Sequence, residues 1–225
     1  MIETLPVYVS VVFAITTVLT VFLFFKATRS SRFTLSILFA WIIIQGIAAL
    51  SGFYLVENTL PPRMALLAGP ALLFITVLFL SVKGKVFLDS LNLRTLTWLH
   101  TIRIAVEVVL FLLYQNDAVP QLMTFAGRNF DILAGLSAPI AVYFGFNNSL
   151  PKKPFLIAWN IMSLALLFNI VSLAILSAPT PLQQLAFDHP NIAVLHFPFV
   201  WLPCCVVPLV LLAHLAALRQ LLKRN

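Results

Sequence analysis

Three ionisable side chains fall within one apolar stretch of this sequence. His100, Arg103 and Glu107 occupy positions i, i+3 and i+7, a spacing that places side chains on one face of an α-helix. Arg103 and Glu107 are four residues apart and can pair within that helix. An arginine can recognise an anionic or carbonyl-bearing ligand, while the glutamate and histidine titrate. The spacing therefore predicts a cluster that binds a small polar or anionic ligand or relays protons.

The helices around this stretch contribute further polar side chains. At about 1.5 Å of rise per residue, Gln45 and Asn169 lie at a depth similar to that of Arg103 and Glu107 when each apolar segment is measured from its centre. We therefore expect one polar layer through the protein. A second polar group is expected at its outer mouth, formed by Arg128, Asp131, His189 and His196.

The composition explains why these few charges are informative. Hydrophobic residues make up 61% of the 225 residues and charged residues 9%, against about half and about a quarter in soluble domains. The net charge of +7 comes from Lys and Arg scattered among apolar runs rather than grouped in a basic patch. This composition excludes an ordinary soluble domain and a nucleic-acid-binding protein, and it makes the lipid bilayer the expected partner.

Hydropathy predicts an all-α, polytopic membrane protein built as a bundle of seven transmembrane helices in a single domain, residues 1–225. A span needs about 20 apolar residues to cross about 30 Å of hydrocarbon. The first segment is too long for a signal-peptide core and follows no basic residue, so we interpret it as a retained helix. The fifth segment is the shortest and contains Pro139. The predicted spans are 5–25, 33–56, 64–82, 95–114, 131–147, 155–177 and 192–218.

The basic residues predict the orientation. Short cytoplasmic loops carry an excess of Lys and Arg, and an outside N-terminus with a cytoplasmic C-terminus places eleven of the fourteen inside. These residues would meet anionic lipids, at about 1 kcal/mol each. The location expected is a cell membrane, either a plasma membrane or a bacterial inner membrane. The eleven are Lys26, Arg29, Arg32, Lys83, Lys85, Arg94, Lys152, Lys153, Arg219, Lys223 and Arg224.

Irregular backbone is predicted near the outer side. Pro198, Pro203 and Pro208 recur every five residues in the last segment, so we expect a kinked or partly unwound helix whose freed carbonyls need other donors. The connections 115–130 and 180–187 have the pattern of short surface helices, which either cover helix ends or form a lid.

Three interpretations of the cluster remain open. Ligand binding or proton relay, with transport or sensing preferred to catalysis, is the first. A haem- or quinone-binding oxidoreductase subunit using His100 and His196 is the second, although the two-haem pattern lacks partner histidines. A structural accessory protein whose polar groups only fix helix register is the third. Because no HExxH, GxSxG or CxxC motif occurs, no metal or cofactor is predicted and an enzyme is not favoured.

Overall fold

The computed structural model describes residue 2, residues 5–56, residue 59 and residues 62–146 and 151–223. The described chain is all α. Its helices are α1 (Val7–Ala27), α2 (Arg32–Leu50), α3 (Ala65–Leu80), α4 (Val82–Ser90), α5 (Leu93–Leu99), α6 (Ile102–Tyr114), α7 (Ile132–Gly145), α8 (Lys153–Ser177) and α9 (Val207–Leu222). A π-helical turn, Leu202–Val206, leads directly into α9, and 3₁₀ turns occupy Phe53–Leu55, Gln121–Met123 and Ala193–Leu195.

Five helical stretches of the described chain are long and apolar enough to cross a membrane, which indicates a multi-pass membrane protein associated with a lipid bilayer. They are Val7–Ala27, Arg32–Leu50, Leu93–Tyr114, Lys153–Ser177 and Leu202–Leu222. The helices α3 and α4 meet at a 96° bend and make a sixth if the pair forms one span. Helix α7 has 14 residues, about 21 Å at 1.5 Å per residue, and is short for a crossing of about 30 Å. The predicted all-α class is confirmed.

The fourth predicted span is divided into α5 and α6. Around the division, backbone bonds tighten to the i→i+3 pattern, and the Arg103 amide donates to the His100 carbonyl at 3.1 Å. In the third span, Pro70 lies inside α3, and the chain bends at Ser81 instead. The Ser81 hydroxyl accepts a hydrogen bond from the Gly84 amide, so it caps α4 and allows the chain to turn there.

The prediction of an irregular final segment is confirmed, and its helix starts at Leu202 rather than near 192. The peptide before Pro198 is cis, and Pro203 lies in the π-helical turn. Because Pro208 has no amide hydrogen, it cannot bond to the Cys204 carbonyl four residues earlier. The Trp41 indole donates to that carbonyl at 2.8 Å instead. A side chain of α2 thus satisfies an acceptor that the proline leaves free.

The two predicted surface helices are wrong. Only the short 3₁₀ turn Gln121–Met123 forms in the first connection, and the described residues 180–187 contain no helix. In that second connection, the Thr180 hydroxyl accepts from the Leu182 amide, and the Gln183 amide group donates to the Leu185 and Ala186 carbonyls. Such local side-chain bonds compete with helical backbone bonds.

Hydrogen bonds show which helix ends lie together. The Asn92 amide donates to the Ala27 carbonyl at 2.9 Å, Arg219 contacts Asp89, and the Lys153 ammonium donates to the Lys223 carbonyl at 3.2 Å. The end of α1, the α4–α5 junction, the start of α8 and the end of α9 therefore share one end of the bundle. We call it the basic end, after the Lys and Arg residues around these contacts.

Two irregular segments, 115–131 and 178–201, lie at the opposite end of the bundle. They are bonded to each other, because the Ala193 amide donates to the Ala118 carbonyl at 3.1 Å. Many of their residues are buried, among them Val119, Thr124 and Asn191. Non-helical backbone is tolerated within a membrane where protein buries it. Because segment 115–131 enters the bundle, α7 begins inside it, which accounts for the shortness of α7.

Candidate functional site

The centre of the buried polar cluster is Arg103, in the first turn of α6 and 2% exposed. Its Nε donates to Asp131 Oδ2 at 2.6 Å, and its Nη2 donates to Asp131 Oδ1 and to the Ser163 carbonyl, the latter at 3.0 Å. Asp131 immediately precedes α7, and Ser163 lies in α8. The guanidinium therefore joins three helices, and its charge is balanced by a carboxylate that grips it through both oxygens.

Glu107 does not pair with Arg103, contrary to the intrahelical ion pair that their spacing suggests. The Asn129 side-chain amide donates to Glu107 Oε1 at 2.5 Å and to the Met123 carbonyl at 2.9 Å, while Asn129 Oδ1 accepts from the Asp131 amide. Glu107 is 1% exposed, and no group of the described chain donates to its Oε2 atom. This oxygen is a buried acceptor without a protein donor.

A histidine pair extends the cluster toward the basic end. His214 Nε2 lies 3.1 Å from Arg103 Nη1, and its Nδ1 lies 2.8 Å from Asn160 Oδ1. Asn160 donates its own amide to the Leu156 carbonyl, so its oxygen is left to accept, and the hydrogen of His214 is assigned to Nδ1. The His100 ring stacks on the His214 ring with centroids 3.8 Å apart.

Close packing of α6 and α7 positions the ion pair. A Cβ atom built on Gly135 would lie 2.8 Å from Ile104 Cγ1, 3.0 Å from the Ile104 amide nitrogen and 3.4 Å from Arg103 Cβ. No residue with a side chain fits there without moving one helix. Gly135 thus lets Asp131, four residues earlier at the N-cap of α7, approach the guanidinium.

The other predicted residues do not form one polar layer with this cluster. Gln45 is buried but accepts from the Tyr54 hydroxyl, and Asn169 is exposed and donates to the Arg128 carbonyl. The predicted outer-mouth group is also divided. Asp131 lies inside the cluster, the His189 ring is 4.0 Å from the exposed Asp117, and His196 Nδ1 bonds to the Ile192 carbonyl.

Four members of the cluster were not part of the sequence prediction: Asn129, Asn160, Ser163 and His214. Polarity within an apolar segment was the available signal for Asn160 and His214. Asn129 gave no such signal, since it lies in a connection whose entry into the bundle depends on tertiary packing.

A cavity of about 270 Å³ ends on the cluster. Arg103, Glu107 and Asp131 form its floor, and apolar side chains from α3, α6, α8 and residues 202–210 form its walls. Pro62, Thr180 and Leu182 line it farther out. A mainly apolar pocket with a few convergent polar groups is the usual form of a small-molecule site.

The metal and haem interpretations depend on the surroundings of the histidines. No group of three or more His, Cys, Asp or Glu residues suited to a metal ion occurs among the described residues. Both ring nitrogens of His214 are engaged by Arg103 and Asn160, and its face is covered by His100. Of the two histidines in the haem interpretation, His196 bonds to a backbone carbonyl through Nδ1, whereas His100 Nδ1 is buried with no hydrogen-bond partner in the described chain.

Apolar helices of spanning length around a buried polar cluster place this chain among the multi-pass helical membrane proteins. The chain belongs to the DUF8737 family, described as a domain of unknown function, whose model matches residues 60–222. That range contains the whole cluster from His100 to His214. No curated protein and no solved structure matches the chain.

Proposed function

We propose that this protein binds a small molecule in the cavity above Arg103, Glu107 and Asp131, and that the ligand has an apolar body and one hydrogen-donating or cationic group. The observation that carries the proposal is Glu107, which lines the cavity beside Arg103 and Asp131 and whose buried Oε2 atom has no hydrogen-bond donor in the described chain. A buried acceptor left unsatisfied costs about 1–3 kcal/mol. A ligand that donates to this oxygen removes that cost.

The charge balance at the floor of the cavity favours a ligand that donates a hydrogen bond over an anionic ligand. Asp131 already neutralises Arg103 through two contacts, and Ser163 and His214 accept further hydrogen bonds from the guanidinium. An anion would have to compete with this carboxylate and would also face Glu107. Of the sequence-based expectation of a small polar or anionic ligand, we therefore keep the polar part, as a primary amine or a hydroxyl compound.

We further propose that the chain crosses a cell membrane seven times with its N-terminus outside. In this proposal the five long stretches and the bent pair α3–α4 each cross the membrane, and α7 crosses together with the buried segment 115–131 that precedes it. The contacts of Ala27, Asp89 and Lys153 support this orientation, because they gather basic loops at one end. The positive-inside rule assigns that end to the cytoplasm.

The binding proposal is tested with hexylamine, hexan-1-ol and hexanoate as probes. Thermal unfolding of the purified protein should shift upward with hexylamine and not with hexanoate, and the shift should disappear in Glu107→Gln. A ligand at 100 times its Kd adds about 2.7 kcal/mol of stability. Ala68→Trp fills the cavity wall and should also abolish the shift, whereas Leu66→Trp, outside the cavity, should retain it.

The outcomes separate binding from a structural role. If hexanoate stabilises more than hexylamine, or if Ala68→Trp responds like the wild type, the proposal is wrong. If Glu107→Gln changes stability while no probe binds the wild type, the cluster is structural, as in the accessory-protein interpretation.

A proton relay is a second candidate, favoured by a set of contacts that groups several buried titratable side chains. It links the side chains of Asn160, His214, Arg103 and Asp131, and it reaches Asn129 and Glu107 only through the Asp131 backbone amide, so the titratable groups are Glu107, Asp131 and His214. Proton flux into vesicles that enclose a pH-sensitive dye should then fall in Glu107→Gln. Equal flux in wild-type and variant vesicles would contradict the relay.

A further inference from the structure

A second, larger cavity lies on another side of the bundle, between α2 and α3. Its volume is about 920 Å³. Both helices pack against the π-helical turn 202–206, and α2 otherwise contacts α1 and the 3₁₀ turn after it. The space between α2 and α3 is lined by apolar side chains, including Ile37, Trp41, Phe74 and Leu78. We call it the α2–α3 cleft.

The deep part of this cleft carries no unmatched polar side chain. Trp41 lines it, but the indole hydrogen is donated to the Cys204 carbonyl. Cys204 and Cys205 are buried free cysteines that add small apolar surface. The described part of the cleft wall is therefore suited to hydrocarbon.

The shallow end of the cleft is polar and lies at the basic end. Lys83, in the first turn of α4, lines it together with the hydroxyl-bearing residues Ser31, Ser81 and Ser90. The Lys83 side chain is exposed, and no ion pair is formed between it and a carboxylate of the described chain. The nearby Asp89 is engaged by Arg219 and Lys223. Lys83 therefore presents an uncompensated positive charge at the mouth of an apolar cleft.

We propose that the α2–α3 cleft binds an anionic phospholipid, with an acyl chain between the helices and the phosphate at Lys83. The dimensions agree with this occupant. From Ser31 to Ile44, both in the lining, α2 rises about 20 Å at 1.5 Å per residue, and one leaflet contributes about half of a 30 Å hydrocarbon core. A second copy of the chain would supply no negative charge matched to Lys83 from an apolar helix face. The site is separate from the cavity above Glu107 and does not depend on its function.

The test compares lipid binding by wild-type protein and matched variants after removal of lipid and exposure to equal amounts of phosphatidylglycerol and phosphatidylcholine. Native mass spectrometry should show preferential retention of phosphatidylglycerol by the wild type. A lysine near an anionic surface contributes about 1 kcal/mol, which is about a fivefold preference. Lys83→Gln should lose this preference, and Lys83→Arg should keep it. Lys85→Gln, on the same helix but outside the lining, should behave as the wild type.

Substitutions in the wall test the position of the chain. Ala71→Trp fills the cleft and should reduce retention of both lipids, whereas Leu72→Trp, its neighbour outside the lining, should not. Equal losses in Lys83→Gln and Lys85→Gln would show surface attraction alone and overturn the proposal. A lipid-free dimer that Ala71→Trp converts to monomer would show that a second copy occupies the cleft, and absence of retained lipid would also contradict the proposal.

Discussion

Replacing Asp131 with asparagine tests whether the buried ion pair holds the helices together. The substitution keeps the size of the side chain but removes the charge that balances Arg103. The guanidinium is 2% exposed, and its remaining partners, the Ser163 carbonyl and His214, are neutral acceptors in the assigned tautomer. The introduced amide would also turn an NH₂ group toward one of the two nitrogens that now donate to the carboxylate.

The expected loss of stability is large for a change of so few atoms. Breaking a buried pair by removing one partner costs about 3–5 kcal/mol, since a buried charge remains uncompensated. For a chain of this length, 1 kcal/mol corresponds to a change in Tm of about 2–4 °C. We therefore expect Asp131→Asn to lower Tm by about 6–20 °C.

Thermal unfolding followed by circular dichroism in detergent measures this effect. Asp117→Asn is the matched control, because the Asp117 side chain is 84% exposed, and its loss should stay within about 0.5 kcal/mol. The double variant Arg103→Met/Asp131→Leu removes both charges and should recover most of the stability lost in Asp131→Asn. If Asp131→Asn unfolds like the control, or if the double variant is no more stable than the single one, the ion pair does not hold the helices together.

Three further substitutions, one of them with a matched control, test other contacts by the same unfolding measurement. Gly135→Ala should destabilise the fold by about 1–3 kcal/mol through collision with the α6 backbone at Ile104, whereas Gly69→Ala, with nothing within 4 Å of its Cβ, should be neutral or stabilise the helix by about 0.5–1 kcal/mol; equal effects would contradict this. Trp41→Phe should cost about 1–3 kcal/mol, because it leaves a buried carbonyl without a donor, and an unchanged Tm would show that another group replaces the indole. Asp89→Asn should cost at most about 1 kcal/mol, and this loss should shrink with added salt; a salt-independent loss would point to packing instead.

The sequence was sufficient to predict the all-α class and the approximate positions of the apolar helices. Lipid imposes a length and an apolar surface on any helix that crosses it, and both can be measured along a single segment. The irregular final segment was predictable for a similar reason, since a proline removes a donor wherever it stands in a helix. The predicted fifth span, 131–147, agrees with α7 (Ile132–Gly145), but the folding of segment 115–131 into the bundle was not predictable because it depends on tertiary packing.

The candidate site was predictable in part. His100, Arg103 and Glu107 stood out because charged side chains are rare in apolar segments and are buried only at a cost. Their partners could not be read from spacing on one helix. Helical neighbours at i+4 come close enough to pair, but Asp131 offers Arg103 two oxygens from another helix. Similarly, the partner of Glu107 is Asn129, which lies in a connection that sequence patterns place at the surface.

The sequence by itself thus determined that His100, Arg103 and Glu107 must be buried, and the tertiary structure buried Asp131 with them and decided what each buried charge meets. Burial follows from the free energy of transferring a helix into lipid, which depends on composition and length. Pairing depends on distances of a few ångströms between segments far apart in the chain, and Gly135 shows how one missing side chain sets such a distance. That packing neutralises Arg103 with Asp131 and leaves Glu107, which lines the cavity, with one carboxyl oxygen that has no donor in the described chain.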